Sequence, residues 1–201
     1  MKREVGAEIL DSLPADDPHA IRSRRDLRMI NSLMGNERWI VRQKMDGDLI
    51  ELGAGAGTLT TRLARSHEVT GLDFQECPEG LNLPWVAGDL FETLPGVKGD
   101  TVVANLILHH FDDDGLEHLG GMLRERKKLV AVEPWRSRLA LAEGALLFPL
   151  VNGVTRHDMM ASIRAGFRKG ELEALLKLGA DWEWREEVSL LGGIRVLAWR
   201  R

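Results

Sequence analysis

Apolar residues change their spacing along this chain, and the changes mark out its elements. Ala20, Leu27, Ile30 and Met34 recur at helical spacing before Gly35-Asn36 ends the run, which predicts a first helix over residues 20–34. A shorter helix is expected over residues 37–45, around Trp39 and Ile40, and Asp46-Gly47 then turns the chain. From there the period shortens. Leu49-Ile50-Glu51-Leu52 is a strand, followed by a glycine loop and a helix over residues 58–66 whose buried side holds Leu59, Leu63 and Ala64. Further strands are expected at residues 68–73, 85–89, 100–106 and 129–133. Before the last of these lies a helix with Leu116, Leu119 and Leu123 as its stripe. A helix over residues 171–178, closed by Gly179, leads to a strand pair over residues 182–189 and 194–200, a hairpin in the same sheet. Alternation of this kind predicts one α/β domain spanning residues 1–201: a doubly wound sheet with its ligand at the carboxyl ends of the strands. Residues 1–17 read as an irregular arm leading into an N-terminal helical segment that ends at residue 45. Residues 134–168 interrupt the rhythm. An insertion after the fifth strand leaves from the ligand edge, so it is expected to cap the cleft as a lid, with Leu146, Leu147 and Phe148 as an apolar wall.

The candidate chemistry begins at Glu51-Leu52-Gly53-Ala54-Gly55-Ala56-Gly57-Thr58. Glycines at alternate positions let backbone approach a ligand closely, and a helix start offers unpaired N–H groups. A dinucleotide fingerprint, G-x-G-x-x-G, needs a third glycine where Thr58 stands, so the spacing leans away from NAD. Glu51, two residues before the first glycine, can accept from an ammonium group or orient the loop. That suits the methionine moiety of S-adenosylmethionine better than a pyrophosphate.

Composition narrows the class. The fractions of 44% hydrophobic and 29% charged residues are those of an ordinary globular protein, and a net charge of −4 gives no basic footprint for nucleic acid. A single cysteine, Cys77, excludes an internal disulfide and fits a reducing cytosol, and Met1-Lys2-Arg3-Glu4 has no apolar run behind it to act as a secretory signal. The longest apolar run, residues 139–151, is too short to span a bilayer.

In order, these signals resemble the class I S-adenosylmethionine-dependent methyltransferases over residues 20–201. The E-x-G-x-G-x-G loop at Glu51, Gly53, Gly55 and Gly57 is similar to the family's first motif. The resemblance implies that Asp73, ending strand two, holds the ribose hydroxyls and that Asp89, in Ala87-Gly88-Asp89, contacts the adenine amino group. It implies that Asn105-Leu106-Ile107-Leu108-His109-His110-Phe111 flanks the methionine end, with Asn105 at the cofactor, and that the sheet is mostly parallel with an antiparallel last strand. One departure stands out: only 16 residues separate Asp73 from Asp89, so the helix that relatives fit there must be short or absent. The segments Leu-His-His-Phe, Val132-Glu133-Pro134, Thr155-Arg156-His157-Asp158 and Ser162-Ile163-Arg164 resemble bacterial small-molecule methyltransferases of natural-product pathways. That resemblance implies a small-molecule acceptor.

Methyl transfer needs chiefly that acceptor and methyl be positioned in line, and a hydroxyl acceptor gains from a base. His157, flanked by Arg156 and Asp158, and His110, at the ligand edge of strand four, are the candidate bases. His109, Glu133, Trp135 and Arg164 are candidate acceptor contacts, although Glu133 has a second reading as a partner for backbone amides. No metal is expected: the Asp112-Asp113-Asp114 run reads as a helix cap, and no other ligand spacing stands out. Two rival readings are a protein methyltransferase and a non-catalytic subunit that binds the same cofactor.

Overall fold

The structure, a computed structural model, describes residues 1–14 and 16–201. Seven strands form one sheet: β1 (Leu49–Leu52), β2 (Val69–Asp73), β3 (Trp85–Ala87), β4 (Thr101–Asn105), β5 (Lys128–Pro134), β6 (Trp182–Val188) and β7 (Gly193–Arg200), in the order β3-β2-β1-β4-β5-β7-β6. The pairs from β3 to β5 are parallel, and β7 runs antiparallel to β5 and to β6. The order reverses between β1 and β4, so the crevice for a ligand opens outside the carboxyl ends of these two strands.

Strand alternation builds two cores. Ile50, Leu52, Val102, Ala104, Leu129 and Ala131 face one side, under helices α5 (Leu90–Thr93), α6 (Asp113–Leu123) and α9 (Glu171–Leu176). Leu49, Val103, Val130 and Val132 face the other, under α3 (Asn36–Val41) and α4 (Thr58–Leu63), where Ile40, Leu59 and Leu63 complete the packing. Each fully buried leucine of this kind contributes about 1.5–3 kcal/mol. Glu51 shares the parity of Leu49 and Asn105 that of Val103, so both polar residues lie on the α3–α4 face, at its ligand edge.

A third cluster joins α2 (Pro18–Met34) to the segment after β5. Here Ile30 packs with Ala140 of α7 (Arg138–Leu146), with Val151, and with Met159 and Ile163 of α8 (Gly153–Ala165). Asp17 caps α2, accepting from the His19 and Ala20 amides, and Gly35 closes it in the left-handed region at φ 68°. The expected lid wall is divided between surface and core. Leu146 is 78% exposed, while Leu147 and Phe148 lean on the α2–α8 cluster. Ala140, Leu141, Leu147, Phe148 and Val151 of the apolar run pack with Met29, Ile30 and Met34 of the first helix, while Leu139, Leu146 and Leu150 stay exposed.

The arm is less irregular than expected. Residues Ile9–Ser12 form a helical turn, α1, held by Asp158 of α8, whose carboxylate accepts from the Ile9 and Leu10 amides at 2.8 and 3.0 Å. Ala15, inside that expected arm, lies outside the described residues. The helix before β6 also ends differently: Lys177, in the left-handed region at φ 48°, closes α9 two residues before Gly179. Residues 74–84 run as turns and coil between β2 and β3, in keeping with the short spacing from Asp73 to Asp89. No helix among the described residues is long and apolar enough to cross a membrane.

Candidate active site

The loop leaving β1 turns through three glycines in the left-handed region, Gly53, Gly55 and Gly57, with φ of 63°, 54° and 69°. They serve different ends. A Cβ on Gly53 would lie 2.8 Å from the Ile107 side chain, and one on Gly57 would lie 2.4 Å from Leu81, so both are needed for packing. A Cβ on Gly55 would meet nothing closer than the Gly53 carbonyl at 4.0 Å, so Gly55 faces open space.

Polar groups stand at the strand ends around that loop. The Gly55 amide donates to Asp73 Oδ2 at 2.7 Å, while Asp73 Oδ1 accepts from the Gln75 amide at 2.9 Å, which aims the carboxylate across the loop from the end of β2. Asp89 caps α5, accepting from the Phe91 amide at 2.7 Å. Glu51 is buried beneath the loop, where Thr60 Oγ1 donates to it at 2.6 Å. Burial pushes its carboxyl up to about 8 against that hydrogen bond, with the charges of Glu37 and Asp73 adding to the rise. At the end of β4, Asn105 Oδ1 is buried and has no hydrogen-bond partner among the described residues. The next residue, Leu106, stands in the left-handed region at φ 60°, a strained conformation for leucine costing about 1–3 kcal/mol. An orphaned acceptor beside backbone strain is the pattern of a site built for a ligand.

The loop after β4 is set by Glu133. Its parity along β5 matches Leu129 and Ala131, so it points to the α6 face and is wholly buried. It accepts from the amides of Ile107 at 3.0 Å, Leu108 at 2.8 Å and His109 at 3.2 Å, and from His109 Nδ1 at 2.7 Å. Those bonds correspond to its backbone-holding reading, and they correct its placement in the acceptor cleft. His109 is likewise buried, with Glu8 of the arm 3.8 Å from its Nε2. Burial works to lower the His109 pKa, but hydrogen bonds and charge from Glu133 and Glu8 outweigh it and leave it raised, to about 9. His110, whose side chain reaches the surface, is held below its ordinary value by partial desolvation and by the neighbouring His109 charge.

The remaining expected contacts are dispersed. His157 and Arg164 share a face of α8, both exposed, and the His157 ring bonds Asp158 Oδ1 at 2.9 Å. Trp135 packs against the larger core, and its amide donates to the Gly192 carbonyl. Asp112 does cap α6, accepting from the Gly115 amide at 2.8 Å. The expectation of no ligand cluster needs amending, because the fold brings Glu8, His109 and His110 together, with ligand atoms within 4.8 Å of one another.

Two features escape a reading of the sequence. Phe74, directly after Asp73, is 77% exposed at the rim of the loop, and its only signal is an aromatic following the strand-ending acid. Arg3 reaches under the arm to the carbonyls of Ala165, His109 and Phe111 and lies over the Phe167 ring, contacts no local pattern announces.

Several solved structures share this architecture. The methyltransferase BpumL, solved with a triazolic desmethylPZN analog and SAH, is 13% identical, with 96% of this chain and 93% of that one covered at a TM-score of 0.71. The pyocyanin biosynthetic protein PhzM is 22% identical, covering 98% of this chain and 62% of that one at a TM-score of 0.68. Human N-acetylserotonin methyltransferase, in complex with SAM, is 16% identical, covering 94% of this chain and 61% of that one at a TM-score of 0.58. The fold is the one these methyltransferases share. Neither a protein-family model nor a curated protein sequence matches the chain.

Proposed function

We propose that the protein is an S-adenosylmethionine-dependent methyltransferase acting on a small, hydroxylated and partly apolar molecule. The observation that carries this reading is the unpartnered, buried Asn105 Oδ1 at the end of β4, beside the β1–β4 switch point from which the open glycine loop and Asp73 also rise. A ligand bearing both an ammonium and a ribose diol answers those groups. Glu51 and Asn105 then receive the ammonium end, whose charge favours the ionised form of the Glu51 carboxyl, Asp73 receives the hydroxyls, and Asp89 the adenine amino group, with Gly53, Gly55 and Gly57 giving the backbone its close approach. Phe74, exposed beside Asp73, offers an apolar face for a base. Bound there, S-adenosylmethionine supplies an electrophilic methyl group on sulfur. The similar folds solved with SAH or SAM support the choice of cofactor, and the desmethylPZN analog and N-acetylserotonin that their names mention support the choice of acceptor class.

The chain's own contribution is placement. Glu133 fixes the backbone of residues 107–109, and with it the wall of the crevice beyond Asn105. Arg164 and Trp135 are the proposed outer contacts for the acceptor. His157, hydrogen-bonded to Asp158, is the proposed base for a hydroxyl acceptor, and His110 is its alternative. Transfer of labelled methyl to a panel of phenols and alcohols tests the reading. Turnover by the wild type with a drop of about 100-fold in His157→Ala, at unchanged cofactor affinity, supports it. Tight cofactor binding without turnover on any acceptor would point instead to a binding subunit.

A further inference from the structure

We propose that Glu8, His109 and His110 form a binding site for a divalent first-row transition ion such as zinc, between the N-terminal arm and the loop after β4. A carboxylate and two imidazoles supply the N2O donor set that zinc and its neighbours accept, with room for water or an acceptor oxygen beyond three protein ligands. The donor atoms already lie within 4.8 Å of one another, and Glu8 Oε1 is 3.8 Å from His109 Nε2. Around an ion with bonds of 2.0–2.1 Å such atoms stand about 3.3 Å apart, so the trio closes by about 1 Å or less along the Glu8–His109 edge.

The surroundings are those of a supported site. Glu133 accepts from His109 Nδ1 at 2.7 Å, which fixes the ring and turns Nε2 toward Glu8, as an outer carboxylate does for a metal-bound histidine. Ser162 Oγ donates to the same Glu8 oxygen that faces His109 and holds it in place. The His109 and His110 rings stand 4.4 Å apart between centroids. Asp11 adds negative charge beside the trio, so three carboxylates, Glu8, Glu133 and Asp11, act on the two imidazoles, with Arg3 on the His109 and Phe111 carbonyls as the neighbouring cation. Because Glu8 belongs to the arm whose turn α1 is tied to Asp158, an ion here fastens the arm over the loop that flanks Asn105. His110 then serves as a ligand in place of a base.

Cobalt(II) titration of the EDTA-treated full chain, followed by visible absorption and calorimetry, tests this without reference to turnover. The expected result is one ion bound per chain, displaced by zinc. Glu8→Gln and His110→Ala should each weaken binding by tenfold or more, Glu133→Gln by about 10–100-fold through the His109 ring, and His118→Ala not at all. Absence of stoichiometric uptake would overturn the proposal, as would full affinity in Glu8→Gln or an equal loss in His118→Ala. If His110→Ala does not fold, Glu8→Gln decides.

Discussion

The two halves of the ligand edge are built on opposite terms. On the β5–α8 side the buried carboxylates of Glu133, Asp158 and Asp26 are satisfied from within. Glu133 takes three amides and a ring; Asp158 takes two amides of α1; and Asp26 of α2 takes the Asn152 amide and the Thr155 hydroxyl. On the β1–β2–β4 side the chain leaves groups open: the space over Gly55, the Asn105 side-chain Oδ1, the Phe74 ring, and a Leu106 held in strain. The first half is a wall and the second is a socket. A buried acceptor costs free energy when unpaired, so its persistence at the switch point argues that something outside the chain completes it.

The largest effect should come from breaking the wall. Glu133→Ala leaves three amides unpaired and the His109 ring without its carboxylate, and should destabilise the fold by about 3–5 kcal/mol in chemical denaturation. A loss below about 1 kcal/mol would mean that the loop is held by something else.

Breaking the socket should act on binding and spare the fold. Asp73→Ala removes the acceptor from the open side of the loop and should weaken S-adenosylmethionine by about 1.5–3 kcal/mol per bond lost, measured by calorimetry. Gly55→Val, which fills the one open Cβ position of the loop and forces a branched residue to φ 54°, should abolish measurable binding. Unchanged affinity in either folded variant would remove that residue from the cradle.

Glu51 sharpens the contrast through pH. Its folded pKa of about 8 stands above the ordinary 4.5, so between these values the native state holds a proton that the unfolded chain has lost. Stability should therefore fall as pH rises through that window, by up to about 1.4 kcal/mol per unit, and level off above it. Glu51→Gln should flatten the decline in thermal unfolding measured from pH 5 to pH 8. An identical slope in the variant would show that Glu51 is ionised in the fold.

Much of this was legible in the sequence where one force dominates. Strands β4 and β5 are buried on both faces, so continuous apolar runs announced them, and the glycine loop followed from backbone geometry that only glycine accepts easily. Glu133 was misplaced although its signal was present: Leu129, Ala131 and Glu133 share one parity, and that parity points beneath the loop after β4. The role of α8 was hidden for another reason. Its partners on α2 are Ser23 and Asp26, buried polar residues outside the apolar stripe that marked that helix, and only tertiary contact shows that Thr155 bonds them. The Glu8–His109–His110 trio is invisible to any spacing rule because its members come from an arm and a loop far apart in the chain.

The central claim is that the open socket fits S-adenosylmethionine, and competitive calorimetry tests it most directly. The account predicts that S-adenosylmethionine and its demethylated product bind one per chain, that Asn105→Ala weakens both, and that NAD and NADP at equal concentration displace neither. Tighter binding of NADH than of S-adenosylmethionine would contradict it and make a reductase the leading reading of the loop from Glu51 to Gly57.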